Sequence, residues 1–281
     1  MTPAMTPARR LMVLKPSAMI GLFLVAGWLL VAALAPWLAP FDPLTSLTPL
    51  ASPGTHAPGG GIFWLGTDLL GRDILSRVIY GARPVVGLSV LATSTAYLVG
   101  VSAGLAAGYF RGATDAILSF LASVVLSFPV LVLYIVVIVA LGASYANVVL
   151  AVTFGSAPAI FRIVRAIALD IAGRDYVAAS QAQGERAHRI LIQDILPNAA
   201  PPLLVDFCLR IGYSAITIGA LGFLGLGLPP PTPDWGGMVA EGRAMALAFP
   251  HLVIFPCLAI SSLVVGLSLL ADGLNAEGRR G

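Results

Sequence analysis

Few side chains in this sequence could do chemistry, and they are unevenly placed. The 281 residues carry sixteen basic and thirteen acidic side chains, three histidines and two cysteines. Nine of the charges fall between Arg162 and Pro197: Arg162, Arg165, Asp170, Arg174, Asp175, Glu185, Arg186, Arg189 and Asp194. Shortly after, Asp206 and Arg210 lie four apart in an apolar run. That spacing puts them on one helix face, where they can pair. Charges within an apolar span are costly and often functional. The pair reads either as a polar lining of a solute path or as a structural ion pair near a helix end.

Several chemistries lack their residues. Lys15 is the only lysine and is followed by Pro16, and no GxxxxGK[ST] segment occurs, so a phosphate-binding lysine at a loop–helix junction is excluded. The glycines at 59–61 have no following lysine and read as a flexible loop. No HExxH occurs, and no histidine lies well inside an apolar run beside a serine or aspartate partner, which argues against intramembrane hydrolysis. His56 and His251 are isolated, and His188 reads as a surface residue of the polar stretch. Cys208 and Cys257 sit in apolar runs, which suits free thiols better than a disulfide, and no metal-ligand spacing is present.

The elements that must position these residues are membrane helices. The chain is 58% hydrophobic and 10% charged, against about 25% charged in soluble domains. Uncharged stretches cover 16–41, 84–110, 116–161, 211–233 and 244–271. A helix crosses the hydrocarbon core with about 20 residues. The third stretch is too long for one helix, and Gly142, Ala143 and Ser144 divide it. The expectation is an all-α, six-helix membrane protein with spans near 18–38, 85–109, 117–140, 145–167, 201–227 and 250–271. The first run exceeds the roughly 7–15 residues of a signal-peptide core and reads as an uncleaved span. The chain then divides into a tail (1–17), a first span (18–38), an external loop (39–83), a transmembrane domain (84–272) containing the polar loop 168–198, and a second tail (273–281). Eleven basic residues fall on the side of the termini and the polar loop and four on the other, which predicts both termini in the cytoplasm.

Smaller features refine this plan. After the Pro- and Gly-rich part of the external loop, Asp73 and Arg77 with Ile74, Leu75, Val78 and Ile79 suit an amphipathic helix leading into span two. Prolines 229–231 are expected to stop span five. Gly100, Gly104 and Gly108 allow a close helix approach. Pro129, Pro158 and Pro256 are expected to kink their helices. The small basic excess does not suggest nucleic-acid binding, and no solenoid-type repeat is present.

Within the polar stretch, residues 170–183 favour a helix through Ala178, Ala179 and Ala182. Ala178, Ala179 and Ser180 leave a bare stripe that another surface could approach. Gly184 ends this helix, and Glu185 suits the start of a second one. Ile190, Leu191, Ile195 and Leu196 give the second helix an apolar face, and Pro197, Pro201 and Pro202 mark the return to the membrane. Two readings stay open: a docking surface for a cytoplasmic protein, or an ordinary interfacial loop.

The run TyrValAlaAlaSerGlnAlaGlnGly at 176–184, followed by Leu196 and Pro197, resembles the "EAA" loop of ABC importer permeases. LeuGlyThrAspLeuLeuGlyArgAsp at 65–73, SerArgValIleTyrGlyAlaArg at 76–83, SerPhePro at 127–129, the segment PheLeuGly…TrpGlyGlyMet at 223–238 and LeuAlaAspGlyLeu at 270–274 are similar to segments of the dipeptide, oligopeptide and nickel permeases, in their shorter, C-type partner. The likeness spans about residues 11–276. It implies the type I importer permease fold in the bacterial inner membrane, and no catalysis, metal or cofactor in this chain. It implies a homologous second permease, two cytoplasmic ATPase subunits that bind ATP and magnesium, and an external solute-binding protein. The transported solute would be a di- or oligopeptide, with a nickel chelate or another small solute as the alternative; a stand-alone channel or carrier is more remote. The resemblance places ATPase coupling on Asp175, Tyr176, Val177, Ala178, Ala179, Ser180, Gly184, Glu185, Leu196 and Pro197. Ala178 stands where the motif has its Glu, so the acidic contact is lost or is supplied by Asp175 or Glu185.

Overall fold

Asp73 sets the start of the longest helix. The computed structural model describes residues 16–278; the tail residues Arg9, Arg10, Lys15, Arg279 and Arg280 used for orientation lie outside the described residues. The Asp73 carboxylate accepts hydrogen bonds from the Ser76 backbone N–H at 2.8 Å and its hydroxyl at 2.7 Å, an N-cap that satisfies an otherwise orphaned donor. From there α2 runs unbroken over Ile74–Phe110, 37 residues, or roughly 55 Å against a hydrocarbon core of about 30 Å. The expected amphipathic helix and span two are therefore one element. Pro84 does not divide it, because Ile74, Val78, Ala82, Val85 and Val86 continue one buried stripe across the proline.

The first helix, α1 (Pro16–Leu38), packs along the last, α10 (His251–Gly278). Glycines make this approach close: a Cβ on Gly21 would lie 2.5 Å from the Leu270 nitrogen. Between α1 and α2 the chain forms a two-stranded antiparallel hairpin, β1 (Thr55–His56) and β2 (Ile62–Phe63), with Thr55 opposite Phe63.

The third span departs from expectation. It is two helices, α3 (Gly112–Leu126) and α4 (Val130–Leu141), bent by 86° at Ser127–Pro129. Pro129 lacks an N–H and disfavours helical backbone in the residue before it, so the turn breaks there rather than bending gently. Gly142–Ser144 then reverse the chain as expected. The Asn147 side chain closes that turn by donating to the carbonyls of Leu141 and Gly142 at 2.9 and 2.8 Å.

Helix α5 (Tyr145–Ile171) packs against α2 through the glycine series. Cβ atoms on Gly100 and Gly104 would lie 2.7 Å from those of Ile160 and Val164. The polar stretch forms α6 (Asp175–Ala182) and α7 (Ala187–Arg189), which passes through one π-helical turn at Ile190–Ile195 into α8 (Leu196–Phe223). Span five was expected over 201–227. It instead ends at Phe223, ahead of the prolines. Gly225, at φ +75°, closes it: the Gly225 N–H donates to Gly222 O at 3.0 Å and the Leu226 N–H to Leu221 O at 2.9 Å, the paired bonds of a Schellman stop. A short α9 (Trp235–Gly242) follows. The fully buried Trp235 joins it to α2 by donating from its indole to Val78 O at 2.9 Å. Among the described residues, five helices are long and apolar enough to cross a membrane, six counting the bent pair.

Candidate functional site

The polar stretch is smaller than its charges implied. Arg162, Arg165 and Asp170 belong to α5, which continues to Ile171. Arg165 is taken up by Asp115 of α3 in a two-point ion pair, with its second bond at 2.6 Å. The helix expected over 170–183 is interrupted at Ala172–Arg174, so α6 stands as a separate eight-residue helix.

One residue fixes α6 to the bundle. Val177 is fully buried among Ala168, Ile171, Ile190 and Ile195. Its neighbours Asp175, Tyr176, Ala178 and Ala179 are exposed, and Ser180 is half-buried. The small side chains named from sequence thus lie on an outward surface. Gly184, at φ +78°, ends α6. Its N–H donates to Gln181 O at 3.0 Å and the Glu185 N–H donates to Ser180 O at 3.2 Å, so two last-turn carbonyls are satisfied. Glu185 does not open the next helix as expected, since Ala187 begins it behind an Arg186 cap. Glu185 instead pairs with Arg189 at 3.1 Å. Asp175 has no ion-pair partner among the described residues. Ile190 and Ile195 are buried, while Leu191 and Leu196 are partly buried against the same cluster. Pro197 is exposed and lies inside the start of α8 rather than at a break.

Asp206 and Arg210 pair as their spacing predicted, with Arg210 Nε 2.6 Å from Asp206 Oδ2. The Tyr97 hydroxyl of α2 donates to the same oxygen. Tyr97 stacks edge-on against Phe207 at 5.0 Å. Arg210 also lines an open cavity of about 260 Å³ formed by the α3–α4 bend and α5.

A third polar group escaped sequence reasoning. At the end of the bundle away from α6, Arg72 and Arg77 bridge Asp68 and Glu241. Asp234 lies nearby and caps α9 by accepting from the N–H groups of Gly236 and Gly237 at 2.9 and 3.1 Å. Burial pushes the Asp234 and Asp73 carboxyls above their ordinary range. No sequence spacing joins residues so far apart, although Arg72 and Arg77 stood in a segment already singled out. Among the described residues, no group of three His, Cys, Asp or Glu could hold a metal. Cys208 and Cys257 are free thiols, and His251 is buried beside Gly66.

The bundle, with a short exposed helix set between two of its long ones, is that of a multi-pass membrane protein. The chain belongs to the family described as the binding-protein-dependent transport system inner membrane component, whose model matches residues 100–276. Residues 8–53 match the N-terminal membrane domain of oligopeptide transport permease C. It is 41% identical to the dipeptide transport system permease protein DppC of Haemophilus influenzae, over 92% of this chain and 88% of that one. It is 40% identical to the glutathione transport system permease protein GsiD of Pectobacterium atrosepticum, over 75% of this chain and 70% of that one. The fold is similar to an inward-facing structure of the MetNI methionine ABC transporter, with a TM-score of 0.57 and 17% identity, over 72% of this chain and 97% of that one. It is thus a permease subunit of a bacterial inner-membrane importer with the type I ABC permease fold.

Proposed function

We propose that this chain forms half of the translocation pathway of an ATP-driven importer of di- or oligopeptides, with α6 as the helix that couples it to an ATPase subunit. The observation that carries the coupling role is the pairing of a buried anchor with an exposed face. Val177 ties α6 to α5 and to the start of α8, while Ala178 and Ala179 stay open to a partner. A push on α6 is then delivered to two long helices at once.

Both termini and α6 are taken to face the cytoplasm, on the basic-residue bias. A homologous second permease completes the pathway, two ATPase subunits dock on the α6 helices, and an external binding protein delivers solute at the opposite end. ATP and magnesium belong to the ATPases, and this chain contributes no catalysis or cofactor of its own. The transporter alternates between two access states, driven by differential binding of partners to each. Asp175, which has no ion-pair partner among the described residues, is the carboxylate we take to replace the motif Glu, with Glu185, paired to Arg189, as the alternative. Relatives named for dipeptide and glutathione transport support a peptide-type solute.

The test is to tag the chain in native membranes, extract it gently and identify what co-purifies. Recovery of a second permease, ATPases and a solute-binding protein is expected. ATP-driven uptake of a labelled dipeptide by the reconstituted complex would then establish the solute class. Recovery of the chain alone, under conditions that keep a known importer intact, would overturn the reading.

A further inference from the structure

Three polar features lie away from α6. In the Asp68–Arg72–Arg77–Glu241 group each cation is answered by two acids, although the buried Arg77 Nε has no acceptor among the described residues. The Asp115–Arg165 pair is likewise mutual. Arg210 differs. Its Nε donates to Asp206, but its two terminal nitrogens donate to no acceptor among the described residues. A guanidinium carries five donors on two usable edges, so one carboxylate leaves the outer edge unused.

Arg210 lines a cavity whose other polar lining is sparse. Val125, Leu126, Phe128, Val130 and Leu133 of the α3–α4 bend form one wall. From α5 and α4 come two hydroxyls, Ser156 Oγ and Tyr134 Oη, 3.4 Å apart. Gly155 makes that meeting possible, because a side chain there would overlap the Tyr134 ring. A cation and two hydroxyls on an apolar wall are suited to an anion, and a guanidinium edge matches the two oxygens of a carboxylate.

Asp206 does not cancel this. It is held on two sides, by Arg210 and by the Tyr97 hydroxyl. That fixes the Arg210 side chain by its Nε, beside the cavity it lines. The two charged side chains are 16% and 23% exposed. A pair in that setting is a poor source of stability compared with packed apolar residues, and an ionisable residue inside a span points to function by default.

We infer that Arg210, braced by Asp206 and Tyr97 and assisted by Ser156 and Tyr134, is a carboxylate-binding station on the solute path. It takes the C-terminal carboxylate of the peptide, a deepening that rests on the peptide-importer reading above. The station is distinct from recognition by the external binding protein, since it lies within the bundle between α4, α5 and α8.

The experiment uses the assembled complex without its binding protein. Binding of Ala-Ala and of its C-terminal amide is followed by saturation-transfer NMR, and ATP-driven uptake of labelled Ala-Ala is measured in parallel with the binding protein added. Wild type is expected to prefer the acid over the amide. Arg210→Gln should weaken acid binding roughly tenfold, the loss of one charge-assisted contact, and leave the amide unchanged. Arg210→Lys should fall between, and Ser156→Ala or Tyr134→Phe, which leave the Arg210–Asp206 pair intact, should each reduce the acid preference. Equal loss of acid and amide in Arg210→Gln would make the pair a scaffold and overturn the station. So would wild-type uptake with no acid preference in binding. Absence of dipeptide uptake by the wild-type complex would instead overturn the peptide-importer reading on which the station rests.

Discussion

Arg77, in the first turn of α2, donates to a carboxylate oxygen of Glu241 in α9 at 2.7 Å, across 164 positions of sequence. The same guanidinium also pairs with Asp68, and Arg72 reaches both acids at 2.7 Å. The network clamps the loop before α2 to the helix after α8, so two segments remote in the chain move as one.

The clamp has unequal members. The Arg77 side chain is 4% exposed and that of Glu241 is 44% exposed. Arg77→Met strands the buried Asp68 beside Arg72 alone and should cost about 3–5 kcal/mol. Glu241→Gln removes a water-screened partner and should cost about 1 kcal/mol or less. Thermal unfolding of the purified chain in detergent checks the order. Equal losses would mean that burial does not rank the members of the clamp.

The α2–α5 seam should reject bulk. At Gly104 a Cβ would meet that of Val164 at 2.7 Å and Phe161 O at 2.9 Å, so Gly104→Val should lower stability by about 1–3 kcal/mol through overpacking. Gly87 on the same helix has nothing within 4 Å of such an atom, and Gly87→Ala should be tolerated. Adding Val164→Ala to Gly104→Val should restore part of the loss, measured as folded yield by size-exclusion profile.

The α6 surface should be sensitive to shape before charge. Ala179→Trp is expected to abolish transport and the coupling of ATP hydrolysis to it, while membrane insertion stays normal. Gly184→Pro should act similarly, because its φ of +78° is closed to proline. Asp175→Asn should weaken coupling several-fold. Transport at the wild-type rate in Ala179→Trp would remove α6 from the coupling route.

Stability should decline with rising pH through two buried carboxyls. Asp73 and Asp234 are raised above 3.8 by burial, so the folded state binds protons more tightly than the unfolded state. By linkage their favourable contribution is present below 3.8 and fades as pH climbs through the raised folded value. Asp234→Asn should flatten that slope while keeping one acceptor for the α9 cap. Unfolding midpoints from pH 4 upward (roughly the range in which carboxyls titrate) would show it. An unchanged slope in both Asp234→Asn and Asp73→Asn would exclude them as its source.

Much of this architecture was legible from composition and spacing. Charge-free runs located the membrane helices because every backbone polar group in lipid must be satisfied within a helix. The Asp206–Arg210 pair was legible from its four-residue spacing, and the glycine series from its period. Where the reading erred, a local signal was misweighted. Prolines 229–231 drew the stop of span five, yet Gly225 had already made it. Pro84 and Pro129 look alike in sequence. One lies inside α2 and the other ends α3–α4 with an 86° bend, because a buried stripe carries α2 across its proline and no comparable core backs the other.

Charge-free runs therefore sufficed for the membrane class and for most of the spans, since both follow from local chemistry. They left open which polar groups meet. Tyr97 finds Asp206 across 109 positions, and Arg210 faces Tyr134 and Ser156 across one cavity. Such meetings depend on how helices pack, which is set by the shapes of whole faces rather than by any spacing along the chain.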